Sequence, residues 1–213
     1  VIQTAEGALT EVHSILQRVR DLAVQAGNDS NNVDSRAAIT TEVTQLVDEL
    51  ERISDATNFN GIKLLDASAG AASDGVLSFQ VGADGAASSQ ITVDLSTADI
   101  KTLATDLRAA IVTTDGFADP TVAAATITTV DASIKSVSSA RADLGAIQNR
   151  FESTINSLQV SAENLSAAKS RIADTDLAAE MVKYTASNIL QQAGTAMLAQ
   201  ANQSGQGVLQ LLR

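Results

Sequence analysis

Apolar residues recur alternately every three and four positions from the start of this 213-residue chain. This spacing places the apolar side chains on one face of an α-helix and is typical of helices that pack lengthwise against one another. The first series has eight members: Ile2, Ala5, Leu9, Val12, Leu16, Val19, Ala23 and Ala26. We therefore expect a long first helix with a continuous buried seam.

Further apolar residues beside this series predict more than one partner helix. Ala8, Ile15 and Leu22 widen the apolar stripe on one side, which a simple helix pair would not require. The helix is predicted to end at Gly27, because the polar run 28–32 that follows favours caps and turns.

A second helix is predicted to start near Asn32 or Asp34, since either side chain can accept a hydrogen bond from the first turn. Because the connecting loop is short, this helix should return antiparallel to the first. Its apolar series is Ile39, Val43, Leu46, Leu50 and Ile53.

The middle of the chain predicts a small β region. Asn60-Gly61 marks a turn, followed by a short extended piece from Ile62 to Leu65. Residues 66–120 are rich in small and polar residues, and two runs in them alternate apolar and polar positions, which predicts a β-hairpin with a bulged or longer loop. The apolar members of these runs are Leu77, Phe79, Val81, Ile91, Val93 and Leu95. Residues 100–111 could form a short helix.

After Pro120 the helical spacing resumes and predicts one long helix from Thr121 to Ile172. Arg141 and Gln148 occupy seam positions, where polar side chains reduce stability but fix the register. We expect the two N-terminal helices to cover this helix along its length. Its apolar series is Ile127, Val130, Ile134, Val137, Leu144, Phe151, Ile155, Leu158, Ala162 and Leu165.

A last helix is predicted at about Leu177–Gln203, capped by residues 174–176 and ended by Gly205 and Gly207. Its apolar stripe is broad and weak, and an exposed apolar tail follows. Because the cost of ordering such a helix exceeds what it gains alone, we expect it to pack against other copies or another protein.

Composition excludes several kinds of function. The net charge of −11 argues against nucleic-acid binding, and no apolar run is long enough for membrane insertion. The chain has no cysteine and a single histidine, His13, interpreted as a helix-surface residue. Residues 29–40 lack the glycine and terminal glutamate of a calcium loop. We therefore predict no catalytic residue, no metal and no cofactor, and hence no enzyme.

Five segments together resemble bacterial flagellin. They occur in the family's order, over the first 65 residues and roughly the last 90, and a match of several long motifs at once is specific. The segments are QTAEGAL at 3–9, LQRVRDLAVQ at 16–25, FNGIKLL at 59–65, ARADLGAIQNRF at 140–151 and ILQQAGTAMLAQAN at 189–202.

The resemblance implies a mainly α fold: an elongated antiparallel coiled-coil rod with a small β-hairpin region and a C-terminal helical tail. Residues 1–65 would form the N-terminal half of the rod, 66–120 a short variable outer region, 121–173 the C-terminal long helix of the rod, and 174–213 an axial-domain helix. The resemblance also implies that a further N-terminal segment precedes Val1.

The implied function is that of a secreted, extracellular subunit that polymerises into the flagellar filament for motility. Implied partners are other flagellin subunits in a helical homopolymer, the flagellin export chaperone, and the filament cap and junction proteins. Two alternatives stay open, a hook-filament junction protein and a flagellin-like cell-surface adhesin or glycan-binding module.

The resemblance further implies two recognition surfaces. Gln17, Arg18, Leu22 and Glu42 match the surface that a host Toll-like receptor reads in activating flagellins, with Leu22 as an apolar knob. The same face could instead serve contacts between subunits. The chain end resembles the tail used in polymerisation and sensed by cytosolic innate receptors; its residues are Val208, Leu209, Leu211, Leu212 and Arg213.

Overall fold

The chain is mainly α-helical, and a computed structural model describes its residues 1–112, 116–174 and 176–211. These form two compact units, Val1–Asn156 and Ser157–Arg213. The helices in chain order are α1 (Ile2–Ala26), α2 (Val33–Ala56), α3 (Ile100–Val112), α4 (Pro120–Ala173) and α5 (Leu177–Leu211). The strands are β1 (Asn58–Phe59), β2 (Ile62–Lys63), β3 (Val76–Gln80) and β4 (Gln90–Asp94).

The turn between α1 and α2 is built by the residues that the sequence singles out. The backbone N–H of Gly27 bonds to the carbonyl of Ala23 and closes α1. Asn32 caps α2, because its side-chain oxygen accepts a 2.8 Å hydrogen bond from the Ser35 amide. The predicted end of α1 and start of α2 are confirmed.

The seam predicted for α1 forms the centre of the first unit. Every member of the series is buried except Ile2, which is half-buried at the start of the helix. Leu22 is also buried, and Ala8 and Ile15 pack against the core from one side. The widened stripe therefore serves more than one neighbouring element, as predicted.

The buried face of α2 differs from the prediction at two positions, each time by one residue. Leu46 and Ile53 are only half-buried, while Val47 and Ser54 lie in the core. α2 packs against both α1 and α3, so its buried face is broader than a single seam. Ser54 is accommodated there because its hydroxyl donates to the Leu65 carbonyl at 2.9 Å.

α4 lies antiparallel to α1 within the first unit. Near the end of α1, Arg20 donates from Nε to Asp131 at 2.6 Å, and near its start Glu6 accepts from Arg141 at 2.8 Å. Residue numbers therefore rise along one helix as they fall along the other. Residues 6–20 of α1 and residues 131–141 of α4 are thereby brought together within the first unit.

Two predictions about α4 are wrong. Gln148 is exposed and donates to Glu152 at 3.2 Å, while Ile147 packs against the core instead. The apolar side chains of Leu158, Leu165 and Ile172 are exposed, so the N-terminal helices do not cover α4 along its length. The reason is length, since α1 has 25 residues and α4 has 54.

Two antiparallel hairpins follow α2. β1 and β2 are joined by Asn60 and Gly61, both at positive φ, which is the geometry of a tight hairpin turn. The sequence predicts this turn and strand β2 but not β1. In the second hairpin Leu77 lies opposite Val93 and Phe79 opposite Ile91, as the alternation predicts.

The predicted short helix after the second hairpin is confirmed as α3. Its buried residues include Ile100, Leu107 and Ile111, which face the core. Arg108 on its outer side donates to Asp48 and Glu51 of α2, each at 2.7 Å. α3 thereby completes the packing around α2.

In the second unit, α5 begins as predicted but ends later. The Asp176 carboxylate accepts from the amides of residues 178 and 179 at 3.0 and 3.1 Å, which caps the helix. The predicted capping residue Thr175 lies outside the described residues. The predicted end at Gln203 is wrong, because α5 continues through Gly205 and Gly207 to Leu211. Each glycine costs a helix only about 1 kcal/mol, too little to stop it.

Candidate functional site

The predicted recognition face lies on the exposed side of the α1–α2 pair. Arg18 of α1 donates from Nε and Nη2 to Oε1 of Glu42 on α2, at 3.0 and 2.5 Å. The antiparallel return of α2 brings these two residues together across the turn. Their side chains are 56% and 46% exposed, so the pair adds only about 0–1 kcal/mol to stability. It holds the guanidinium in place at the surface, where a partner can reach it.

Gln17 lies beside this pair and is also exposed. Its amide Nε2 lies 2.9 Å from Nε2 of His13, one turn earlier on α1. The histidine is half-buried, which agrees with its interpretation as a partly exposed residue of the helix surface, and its Nδ1 atom is buried without a hydrogen-bond partner in the described part of the chain. Gln17, Arg18 and Glu42 therefore form one polar surface.

Leu22, the fourth predicted recognition residue, is only 2% exposed. Its side chain belongs to the core cluster that includes Val19 and Ala23. The structure thus brings three of the four predicted residues to one surface and places the fourth beneath it. The apolar knob expected at Leu22 does not project into solvent.

A second candidate surface consists of the large apolar side chains that α5 exposes around its circumference. Eight large apolar side chains of this helix are each at least 57% exposed: Leu177, Met181, Val182, Tyr184, Ile189, Leu190, Met197 and Leu198. Exposed apolar surface on this scale marks an interaction site in a soluble protein. The backbone of Val208, Leu209 and Leu211 continues the helix, but their side chains lie outside the described residues, as do Leu212 and Arg213 altogether.

An apolar groove near the start of α1 is a feature that the sequence prediction missed. Three of the four phenylalanines, Phe59, Phe79 and Phe151, line it together with Ile2 and Ile155. The rings of Phe79 and Phe151 meet edge to face, with centroids 5.6 Å apart and planes at 88°. The groove has a volume of about 450 Å³. We call it the aromatic groove. The chain has only four phenylalanines, and this scarcity was the available signal in the sequence that they mark a site.

Several exposed ion pairs shift the pKa values of their own members. A hydrogen bond from Lys63 and the charge of Lys101 lower the pKa of Asp55, and a hydrogen bond from Arg52 lowers the pKa of Glu49. The hydrogen bond to Asp131 raises the pKa of Arg20. Such groups stay charged near neutrality, whereas a general acid or base needs a pKa near the working pH.

The described ranges lack the features of a metal site and of a membrane-spanning helix. Residues 1–112, 116–174 and 176–211 contain no group of three or more histidine or acidic side chains placed to hold a metal ion. Within the same ranges, no helix is both long and apolar enough to span a membrane.

The family models match both ends of the chain. The model of the bacterial flagellin N-terminal helical region matches residues 1–70, and that of the bacterial flagellin C-terminal helical region matches residues 127–212. The chain belongs to the bacterial flagellin family. The N-terminal match contains α1 and α2. The C-terminal match contains most of α4 and the whole of α5.

Similarity to individual flagellins extends over the whole chain. The chain is 50% identical over 213 residues to flagellin of Halalkalibacterium halodurans. This match covers all of this chain and 74% of that protein. The chain is 47% identical over 233 residues to flagellin of Bacillus subtilis, covering all of this chain and 77% of the relative. The chain is also similar to the crystal structure of Bacillus cereus flagellin, with a TM-score of 0.57 and 30% sequence identity. This match covers 78% of this chain and 89% of that one.

Membership of the flagellin family gives the chain a structural role. It is a subunit of the bacterial flagellar filament that polymerises with other flagellin subunits, and the filament is extracellular. It is a structural protein of motility and not an enzyme.

Proposed function

We propose that this flagellin assembles through the apolar side chains that α5 exposes. The observation that carries the proposal is the set of eight large apolar side chains that α5 exposes. Burying one such side chain fully yields about 1.5–3 kcal/mol, so contacts along the helix between copies supply a strong driving force. The tail residues Val208, Leu209, Leu211, Leu212 and Arg213 would continue this contact.

Seeded polymerisation tests this proposal. The full-length protein is added to filament fragments at high salt, and polymer is measured by sedimentation. Leu190→Gln should abolish growth while leaving the helical circular-dichroism signal intact, because Leu190 is exposed in the single subunit. Gln191→Ala is the matched control, since it removes no apolar surface beside Leu190. Normal growth of Leu190→Gln would contradict the proposal.

The same α5 surface is the proposed binding site of the export chaperone before assembly. A chaperone that shields apolar side chains would prevent premature polymerisation, and the filament cap and junction proteins would then meet the subunit at the ends of the filament. Stoichiometric chaperone should block seeded growth, and Leu190→Gln should weaken the complex. A complex unaffected by Leu190→Gln would place the chaperone elsewhere.

A second proposed role is recognition by a host Toll-like receptor through Gln17, Arg18 and Glu42. Support comes from the exposed Arg18 guanidinium, which Glu42 holds in place. Arginine donors fixed in this way are typical of interface hot spots. Leu22, buried below, would act by positioning α1. The tail from Val208 to Arg213 would be the part sensed by cytosolic receptors.

A receptor reporter assay tests this role. Arg18→Ala should reduce the signal strongly, whereas Arg52→Ala, which removes another exposed arginine of the α1–α2 pair, should not. Leu22→Ala should reduce the signal in step with its loss of thermal stability. Equal signals from the parent and Arg18→Ala, or no signal from the parent, would remove the assignment.

The adhesin alternative has less support than the filament role. A glycan site in residues 66–120 would need an aromatic or acidic cleft, yet Phe117 is fully buried and Phe79 packs on Phe151. A hook-filament junction protein would also be helical at both ends. Growth of seeds into long polymers from this protein alone favours the filament subunit over the junction protein, which would stop after a few layers.

A further inference from the structure

Asn60 differs from every other asparagine of the chain in the residue that follows it. The sequence contains ten asparagines, and Asn60 alone precedes a glycine. The backbone nitrogen of a following residue can attack the side-chain amide carbon of asparagine, and a Cβ on that residue hinders the approach. Because Gly61 has no Cβ, this reaction meets less steric resistance at Asn60 than at any other asparagine.

The fold leaves both reacting groups of this pair free. The Asn60 side chain is exposed, and neither its amide nor the backbone N–H of Gly61 forms a hydrogen bond with a described residue. A Cβ added at Gly61 would meet no atom within 4 Å, so open space surrounds this residue. Packing and hydrogen bonding therefore do not hold the Asn60 amide away from the Gly61 nitrogen or from water.

The other asparagines of loops and turns are held by hydrogen bonds. The side-chain oxygens of Asn28 and Asn32 accept from backbone amides two and three residues later. The side chains of Asn31 and Asn58 donate to backbone carbonyls. The remaining five asparagines lie within α4 and α5, where the helix fixes the backbone that would have to rotate: Asn149, Asn156, Asn164, Asn188 and Asn202.

The turn that carries Asn60 can open at low cost. Asn60 and Gly61, with φ of +52° and +83°, join strands β1 and β2, each of which has two residues. Attack requires the Asn60 backbone to leave this tight-turn conformation briefly, which a rigid turn would prevent. A two-stranded hairpin is marginally stable at best, so such a short one opens locally without unfolding the helices.

We propose that Asn60 is a site of spontaneous deamidation in the folded subunit. The Gly61 nitrogen forms a bond to Cγ of Asn60, and the bond from Cγ to Nδ2 breaks. The leaving nitrogen takes up the proton of the Gly61 amide and departs as ammonia. One water molecule then opens the resulting succinimide ring and gives aspartate or isoaspartate. The reaction needs no oxidant or reductant, and it is independent of the proposed assembly and recognition surfaces.

The products change the hairpin in two ways. Either product adds a negative charge at the exposed turn. Isoaspartate also routes the main chain through the former side chain, and the extra backbone atom does not fit a two-residue turn that pairs Phe59 with Ile62. Because Phe59 also lines the aromatic groove, deamidation of Asn60 loosens one wall of that groove.

Peptide mass spectrometry in heavy-oxygen water tests the site. The full-length protein is incubated in mildly alkaline buffer made with this water and is then digested with trypsin in ordinary water, which releases residues 53–63 as one peptide. Heavy oxygen in the product marks deamidation that occurred during the incubation. Asn58 lies in the same peptide and is the internal control. Asn60 should react at least about tenfold faster than Asn58, a difference of about 1.4 kcal/mol in barrier height.

Two variants test the role of the glycine. Gly61→Ala should slow the reaction of Asn60 at least about tenfold, because the added Cβ hinders the attack. Gly85→Ala is the matched control, since it changes an equally open glycine of the other hairpin and should leave the rate unaltered. Circular dichroism verifies that both variants are folded. The comparison of Asn60 with Asn58 in the unaltered protein does not depend on either variant.

The free peptide 53–63 shows whether the fold protects the site. Asn60 in the folded protein should react within a few-fold of its rate in this peptide. A folded protein that reacts more than about tenfold more slowly would show that the turn shields Asn60, and this would overturn the proposal. Equal labelling of Asn58 and Asn60, an unlabelled Asn60 or an unchanged rate in Gly61→Ala would also overturn it.

Discussion

Arg141 on α4 directs both Nε and Nη2 at one oxygen of Glu6 on α1, each at 2.8 Å. The second Glu6 oxygen is buried and has no hydrogen-bond partner among the described residues. The pair lies beside the apolar seam of α1, whose members include the buried Ala5 and Leu9. A shift of α4 by one turn, about 5.4 Å, would break the hydrogen bond from Nε and separate the ion pair. This ion pair therefore helps to fix the register between α1 and α4 within the first unit.

A double-mutant cycle should detect this pair. Arg141→Ala and Glu6→Ala are each expected to lower the free energy of unfolding by about 1 kcal/mol, and the double variant by less than the two together, because the pair is about one-third exposed and partly screened. Urea denaturation measures the three changes. The same cycle on the more exposed Arg52 and Glu49 should give weaker coupling. Strict additivity for Arg141 and Glu6 would show that the pair does not stabilise the fold.

The α1 seam should make two valines of the same helix respond differently to truncation. Val19 is fully buried and Val24 is half exposed. Val19→Ala should lower the free energy of unfolding by about 2 kcal/mol, because it removes buried apolar groups and leaves a cavity. Val24→Ala should change it by less than about 0.5 kcal/mol. Thermal denaturation compares them, and equal losses would contradict the assigned seam.

Two glycines should respond in opposite directions to alanine. Gly70 has a φ of +95°, and an added Cβ would lie 2.0 Å from the carbonyl oxygen of Val76. Gly70→Ala should therefore destabilise the fold by at least about 2 kcal/mol. Gly145 lies in the middle of α4, with no atom within 4 Å of an added Cβ. Gly145→Ala should stabilise by about 0.5–1 kcal/mol through helix propensity. Chemical denaturation of both variants checks the prediction.

Acid should destabilise the folded chain through its exposed aspartates. Hydrogen bonds from Lys63, Ser96 and Ser89 lower the pKa of Asp55, Asp94 and Asp84 from the ordinary value of 3.8. The unfolded chain therefore takes up these protons at higher pH than the folded chain. The stabilisation is complete above the ordinary pKa and is lost as the pH falls through the lowered values.

The thermal midpoint should accordingly be constant from about pH 7 to about pH 5 and fall below about pH 4. Asp55→Asn removes one of the titrating groups, so the variant should differ from the parent at neutral pH and converge with it in acid. A midpoint that rises on acidification would contradict the lowered pKa values.

The helices could be predicted from the sequence because their information is local. The seam of α1, the cap at Asn32 and the strand alternation around Phe79 each depend on residues a few positions apart. The face of α2 could not be predicted as closely, since Val47 and Ser54 are also buried and α2 contacts α3 as well as α1, which periodicity within one helix does not reveal. The prediction that Gly205 and Gly207 end α5 was wrong, because an isolated glycine weakens a helix without ending it.

The candidate sites depend on distant residues and were harder to predict. Residues 17 and 18 follow from the sequence motif, but the burial of Leu22 depends on how α1 packs against its neighbours. The aromatic groove gathers Phe59, Phe79 and Phe151 from three separate elements. No spacing rule within a single helix or strand could have placed them together.

The pairing of α1 with α4 sets the order in which the subunit can fold. Glu6 and Arg141 are 135 positions apart in the chain. Closing so long a loop is slow and entropically costly, and it must precede the contacts that reward it. A chain that emerges with its N-terminus first cannot complete the packing of α1 until residue 141 and the turns around it are free. The packing of α1 in the first unit therefore waits for the part of α4 that lies 135 positions away.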